Sequence, residues 1–112
     1  ILSEYKLFKL RKAEDFSAVF NFRKRLSSPH IYFHYAPNTK SHPRLGYVVS
    51  NKTEKLSVRR NYMRRLLREI LKDQLSYNVS FDIVVRVRKA FYKENHKQIE
   101  GEISSLIKAL PI

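Results

Sequence analysis

The segment SVRRNYMRRLLREILKDQL, residues 57–75, restricts the fold more than any other stretch of the chain. On a helical wheel at about 100° per residue, Val58, Tyr62, Met63, Leu66, Leu67, Ile70 and Leu71 fill one broad arc. Asn61, Arg64, Arg65, Arg68 and Lys72 fill an opposing arc about 100° wide. One helix therefore carries a face that must be buried and a face that must stay open. The open arc contains no acid, so no i,i+4 pair relieves its repulsion. Arg59 and Arg60 stand at the N-terminal end, where the macrodipole already presents positive charge. A merely solvated face is the alternative reading. Against it, a local arrangement that opposes the dipole by a few tenths to about 1 kcal/mol marks a functional site. A phosphate at that end would meet backbone N–H groups and arginine forks together.

The other elements supply what the apolar arc needs. Residues 12–22 place Ala13, Phe16, Val19 and Phe20 at helical spacing. IYFHYA (31–36) and RLGYVVS (44–50) read as strands. The turn-rich PNTKSHP between them predicts antiparallel neighbours. FDIVVRVR (81–88) alternates Phe81, Ile83, Val85 and Val87 against Asp82, Val84, Arg86 and Arg88. Residues 95–110 set Ile99, Ile103, Leu106, Ile107 and Leu110 on one stripe. Asn95 and Gln98 have capping-box spacing, and Pro111 ends the segment. Residues 4–10 alternate weakly and read as a short extra strand or an extended arm. The expected fold is α+β, in the order helix, strand, strand, helix, strand, helix, with residues 1–112 as one domain.

Charge narrows the function. Lys and Arg number 23 against ten acids, a net charge of +13. A chain this basic repels itself and calls for a polyanionic partner. Arginine binds phosphate bidentately and stacks on bases, whereas lysine is a point charge, which favours structured nucleic acid over a membrane surface. A membrane-lying helix would also need its apolar face free, and here the strands need that face. With no cysteine there is neither a disulfide framework nor a thiolate metal site. No apolar run approaches the roughly 20 residues of a membrane span, and no secretory signal pattern opens the chain. A reducing, cytoplasmic setting is expected.

At the arginine helix the residues resemble a known family, the protein subunit of bacterial ribonuclease P. Arg60, Asn61, Arg64, Arg65, Arg68 and Glu69 fill its arginine–asparagine–arginine signature in order. RKAEDFSAVF resembles the family's first helix, IYFHYAPN and RLGYVVSNK the two strands before the signature, and FDIVVRVRKA the strand after it. The resemblance implies an α/β sandwich in which a small, mostly antiparallel sheet carries three helices. It also implies a left-handed strand–helix–strand crossover around the signature, an exception to the usual hand. By the same resemblance the protein binds a catalytic RNA subunit and the 5′ leader of precursor tRNA, and promotes leader removal with Mg²⁺ held mainly by RNA. Lys52, Arg60, Asn61, Arg64, Arg65 and Arg68 would face the RNA subunit. Phe16, Phe20 and Tyr35 would line a cleft between the first helix and the sheet, where the leader lies. Spacing alone favours a core role for Phe16 and Phe20. Arg86 and Arg88 either hold leader phosphates in that cleft or are solvated. The sequence departs from the family at SNKTEKLS, where Asn51 stands in place of a lysine and no glycine follows, and Arg59 has no fixed counterpart.

No protein-borne active site or metal site is expected. His30 and His34, four apart on a strand, share a face at roughly 13 Å, too far for one metal. Both are expected to face solvent or phosphate. Glu14, Asp15 and Asp82 read as charge partners or caps. The protein alone is expected to be monomeric. The competing function is a structural RNA-binding protein of ribosomal type. Aromatics exposed in a concave groove favour the first reading, and wholly buried aromatics the second.

Overall fold

The computed structural model describes residues 8–10, 12–39, 42–75 and 80–111. In chain order these form β1 (Phe8–Lys9), α1 (Ala13–Asn21), β2 (Lys24–Ser27), β3 (Ile31–Pro37), β4 (Arg44–Val48), α2 (Ser57–Gln74), β5 (Phe81–Val87) and α3 (His96–Ala109). A 3₁₀ turn at Lys93–Asn95 leads into α3. The six expected elements are present in the expected order. Of the segment 4–10, residues 8 and 9 form β1, and 4–7 lie outside the described residues. β2 is an addition, since KRLS is too short and too polar to announce a strand.

The sheet runs β4-β5-β3-β2, with the two-residue β1 extending the β4 edge. β2 with β3 and β3 with β5 are antiparallel, whereas β4 with β5 and β1 with β4 are parallel. The sheet is therefore mixed. β3 and β4 are not neighbours, because β5 lies between them. The reason is visible in β5 itself. Asp82, Ile83, Val84, Val85 and Val87 are all buried, and a strand apolar on both faces belongs at the centre of a sheet covered on both sides.

Alternation along the strands sorts side chains into two layers. Ile31 and Phe33 of β3, Leu45 of β4 and Ile83, Val85 and Val87 of β5 point one way. They meet Met63, Leu66, Leu67, Ile70 and Leu71 of α2 and Ile99, Ile103 and Leu106 of α3. Full burial of such a side chain stabilises by about 1.5–3 kcal/mol, so this layer dominates the fold. The other face holds a smaller cluster of Leu10, Val19, Ala36 and Val84, with Phe16 and Val48 packed on it. A β-carbon at Gly46 would overlap the Phe16 ring, so this glycine lets α1 sit close on β4. The apolar arc of α2 is narrower than the wheel suggests. Val58 is 71% exposed in the first turn, before the helix has reached the sheet.

The turn between β2 and β3 is fixed by a buried carboxylate. Ser28 Oγ and the His30 backbone N–H both donate to Glu102 Oε1 on α3, at 2.6 and 2.8 Å. His30 Nδ1 donates to Oε2 at 2.7 Å. His30 is thus buried structure, against the solvent-facing role expected of it. Asn95 also departs from expectation. Its side chain turns back to accept from the Tyr92 N–H at 2.9 Å and makes no cap bond to α3.

Burial pushes the Glu102 carboxyl up, but the Ser28 and His30 hydrogen bonds outweigh it and hold the group below the ordinary glutamate value of 4.5. A carboxyl depressed by folding contributes stability that is fully present above the unfolded value and lost as pH falls through the folded one. Glu102→Gln is expected to lower the unfolding free energy near neutral pH by about 1–3 kcal/mol. It should also shrink the loss of stability of the wild type below pH 4.5, as urea titrations across that range will show.

Candidate nucleic-acid interface

The cationic arc of α2 faces away from the sheet. Asn61, Arg65, Arg68 and Lys72 are exposed, and Arg64 is half-exposed. Arg64 donates to Asn61 Oδ1 at 2.8 Å, one turn back along the stripe. The Arg68 guanidinium lies 6.0 Å from the Tyr47 ring centroid. Arg65 makes no hydrogen bond, ion pair or ring contact among the described residues. These side chains are held side by side by one rigid helix, and that helix is fixed by five buried apolar residues.

The N-terminus of α2 is not as bare of acid as the sequence suggests. Glu54, in the connection from β4, is buried, and its Oε2 accepts from the Leu56 N–H at 3.2 Å. Tyr92 Oη donates to Oε1 at 3.0 Å, and Arg59 Nη1 lies 4.0 Å from that oxygen. The Leu56 N–H, then Tyr92 and Arg59, hold the carboxyl below its ordinary value although burial opposes them. Arg59 also lies 5.2 Å from the Tyr92 ring centroid, which gives it a structural task. Arg60 Nη1 donates to the Glu54 and Lys55 carbonyls at 3.0 and 2.8 Å. The conflict between two arginines and the macrodipole is thus partly settled within the protein. Arg60 ties down the connection while the stripe beyond it remains open. Lys52 sits exposed in that same connection.

A second cationic surface lies on the opposite face of the sheet, beside α1. A groove of about 560 Å³ runs between Phe20 and Val48, over Tyr32, Arg86 and Arg88. Ser50 and Thr53 form its wall toward α2. Three guanidinium groups surround the Tyr32 ring, with Arg25, Arg88 and Arg86 at 4.5, 4.8 and 4.9 Å from its centroid. An exposed cation–π contact contributes about 0.5–1 kcal/mol, and one ring thus gathers three like charges. Among the described residues no acid lines this groove. Burial, then Arg86 and Arg25, push the His34 imidazole down to about 4, a local sign of the same positive field. Phe20 is 36% exposed and packs edge-on to His34, with ring centroids 4.7 Å apart.

The residues expected in a cleft divide three ways. Phe20, Arg86 and Arg88 meet in the groove. Phe16 is half-buried over Gly46 and holds α1 on the sheet, the role its spacing alone favours. Tyr35 is on the other face, edge-on to Phe81 at 5.7 Å and packed against the two-helix core. Parity explains that correction, since Tyr35 shares the face of Ile31 and Phe33. The groove tyrosine is Tyr32. Its parity is opposite to that of the buried Phe33, and the same alternation places His34 beside it.

The carboxylates are engaged elsewhere. Arg44 grips Asp82 with Nε and Nη2 at 2.9 and 2.6 Å, and its Nη1 lies 3.7 Å from Asp15. Among the described residues no group of three or more His, Cys, Asp or Glu is placed to hold a metal ion. No described helix is long and apolar enough to cross a membrane.

An arginine-striped helix on one face of a mixed sheet and an arginine–aromatic groove on the other give the fold two separate cationic surfaces, in the manner of nucleic-acid-binding proteins. The family model described as Ribonuclease P matches residues 5–111. The ribonuclease P protein component of Chromobacterium violaceum is 33% identical over 102 residues, spanning 91% of this chain and 84% of that protein. That of Pseudomonas aeruginosa is 33% identical over 103 residues, spanning 91% and 76%. Among solved structures, the Staphylococcus aureus RNase P protein superposes with a TM-score of 0.82 at 25% identity, over 96% of this chain and 98% of that one. The Thermotoga maritima protein gives 0.75 at 27%, over 93% and 98%. The chain belongs to the ribonuclease P protein family, the protein components of a tRNA-processing endoribonuclease ribonucleoprotein.

Arg60 and Arg65 should separate structure from binding. Arg60→Ala is expected to lower both the melting temperature and the affinity for RNA, because two loop carbonyls would be left without their donor. Arg65→Ala should leave the melting temperature within error and lower affinity alone. Differential scanning fluorimetry beside filter binding will read both.

Proposed function

We propose that the α2 stripe, with Lys52, Arg60, Asn61, Arg64, Arg65 and Arg68, binds the catalytic RNA subunit, and that the groove beside α1 holds the 5′ leader of precursor tRNA. The observation that carries this reading is the convergence of Arg25, Arg86 and Arg88 on Tyr32 beside the exposed Phe20. Unpaired bases stack on exposed aromatics for about 1–3 kcal/mol each, and guanidinium groups take the intervening phosphates bidentately. A duplex cannot offer its base faces to such a groove, but a single strand can. A purely structural RNA binder would have no use for it.

In this reading the protein's work is positioning and charge neutralisation. The stripe spreads cations along one side of a rigid rod, matched to phosphates on folded RNA rather than to base edges. The groove fixes the leader, so that the scissile bond is presented to the RNA subunit. The family reading makes leader removal Mg²⁺-dependent. Among the described residues no three His, Cys, Asp or Glu gather to hold a magnesium ion, and Asp82, Asp15, Glu54 and Glu102 are already held by cations or hydrogen-bond donors. In this reading the RNA holds the metal ions, and the protein's residues bind and orient. The unbound protein, at +13, repels a second copy and is monomeric. Its setting is the cytoplasm, where precursor tRNA is found.

Cleavage of a precursor tRNA at low Mg²⁺ tests the reading, with protein alone, with a bacterial ribonuclease P RNA alone, and with both. Efficient cleavage at the mature 5′ end by the mixture alone is expected; a protein that adds nothing to the RNA would sink the proposal. Two sets of variants then address the two surfaces. Replacing Arg64, Arg65 and Arg68 by Ala should flatten the log–log salt dependence of RNA binding by roughly 0.7–0.9 for each phosphate left without its arginine. Phe20→Ala should weaken binding of the leader-bearing precursor more than that of mature tRNA, and equal weakening of both would return Phe20 to a packing role.

A further inference from the structure

The large apolar side chains exposed among the described residues gather in two places. Phe20 and Phe22 stand at the end of α1. Leu56, Val58 and Tyr92 stand at the start of α2, 51%, 71% and 37% exposed. Apolar residues scattered singly over a surface are ordinary, whereas a cluster of them marks a contact site. Glu54 is what draws the second group together. One oxygen of its carboxylate accepts from the Leu56 N–H at 3.2 Å, and the other from the Tyr92 hydroxyl at 3.0 Å. The connection before α2 and the connection after β5 are thus joined across a single carboxylate. Val58 follows in the first turn of α2.

The Tyr92 ring is fixed before any partner arrives. Its hydroxyl is held by Glu54, and the Arg59 guanidinium lies 5.2 Å from its centroid. Its backbone N–H donates to Asn95 Oδ1, and its carbonyl accepts from the Asn95 N–H, both at 2.9 Å. A ring held in this way loses little freedom on binding. The α2 residues that pack into the core begin at Tyr62, so Leu56 and Val58 take no part in it. The surroundings select the occupant. Lys52, Lys55, Lys89 and Lys93 stand exposed in the two connections, against one exposed acid, Glu94. A second copy of the chain carries the same positive charge and is repelled. RNA matches the charge, but its phosphates gain nothing from two aliphatic side chains and a ring. The apolar surface of RNA is the face of a base, and only an unpaired base offers it.

We propose that Leu56, Val58 and Tyr92 form a seat for one unpaired base of the catalytic RNA subunit, just beyond the end of the arginine stripe. The RNA subunit is the source because the seat continues the surface of α2, so folded RNA lying along the stripe crosses this corner. The inference rests on the reading that the stripe docks the RNA subunit. It adds to that interface something that charge does not supply. Arginines on a helix accept any phosphate backbone of suitable shape, whereas the seat accepts only an RNA that presents an unpaired base at a set distance from those phosphates.

The test measures binding of a bacterial ribonuclease P RNA to the whole protein, without precursor, across a salt series and beside melting curves. Tyr92→Ser is expected to weaken binding roughly five- to hundredfold, the worth of one lost stack. Val58→Ser should weaken it less and melt with the wild type, since the side chain is open to solvent. In both, the log–log salt slope should stay at the wild-type value, because no phosphate contact is lost. Tyr92→Phe, which keeps the ring and lacks the hydroxyl, should keep most of the affinity. Ultraviolet crosslinking of the complex with precursor tRNA should join Tyr92 to a nucleotide of the RNA subunit. Wild-type affinity in Tyr92→Ser and Val58→Ser would overturn the proposal, and so would a slope that falls with the affinity. Loss in Tyr92→Phe equal to that in Tyr92→Ser would reduce the ring to a support for Glu54 and overturn it. A crosslink to the leader instead, or self-association of the free protein that Val58→Ser abolishes, would give the surface to another occupant and overturn it too. Failure of the docking reading looks different: replacing Arg64, Arg65 and Arg68 by Ala would then leave both affinity and slope unchanged.

Discussion

Strand β5 is hydrogen-bonded along both edges, parallel to β4 and antiparallel to β3, and its alternation divides the molecule. Ile83, Val85 and Val87 close the core under α2 and α3, while Asp82, Val84 and Arg86 face α1. Each of the latter has a separate task along one line. Asp82 anchors Arg44, Val84 supports α1, and Arg86 enters the groove. Asp82 is buried and Arg44 half-buried, and their two hydrogen bonds close the end of the sheet away from the groove. The groove opens where the apolar residues of that face give way to arginine.

The surplus of positive charge is not spread evenly in purpose. Arg44, Arg59 and Arg60 are bound to carboxylates or carbonyls within the protein. Arg65 on the stripe and Arg23 beside the groove make no such bonds among the described residues, and Arg25, Arg86 and Arg88 share a single tyrosine ring. Arginines that hold the fold and arginines left for a partner thus sit within a few residues of one another. Their partners distinguish them, and their positions in the sequence do not.

That distinction marks how far the sequence can be read. The 3.6-residue period locates α1, α2 and α3, and the two-residue period locates β5, because each pattern is imposed locally by the face an element buries; aromatic and β-branched runs bounded by turn residues locate β3 and β4. The placement of β5 between β3 and β4 is not legible, since strand order is decided by long-range pairing. β2 escapes notice because an exposed edge strand has no apolar face to alternate. The family resemblance draws Tyr35 toward the cleft, yet its parity with Phe33 already puts it in the core. Glu54 is invisible as a partner for the α2 terminus, because only the folded connection brings its carboxylate back to Leu56. The role of His30 depends on Glu102, 72 residues away, and no local pattern joins the two.

The edge strand β2 carries a consequence of another kind. An open sheet edge is a template on which a second chain can pair, and proteins guard such edges with short strands and charged side chains. β2 has four residues, and Lys24 and Arg25 stand exposed on it. Before any RNA arrives, these cations keep freshly made copies of the chain from stacking edge to edge into aggregates. The charge that suits the protein to a polyanionic partner thus also serves its colloidal stability.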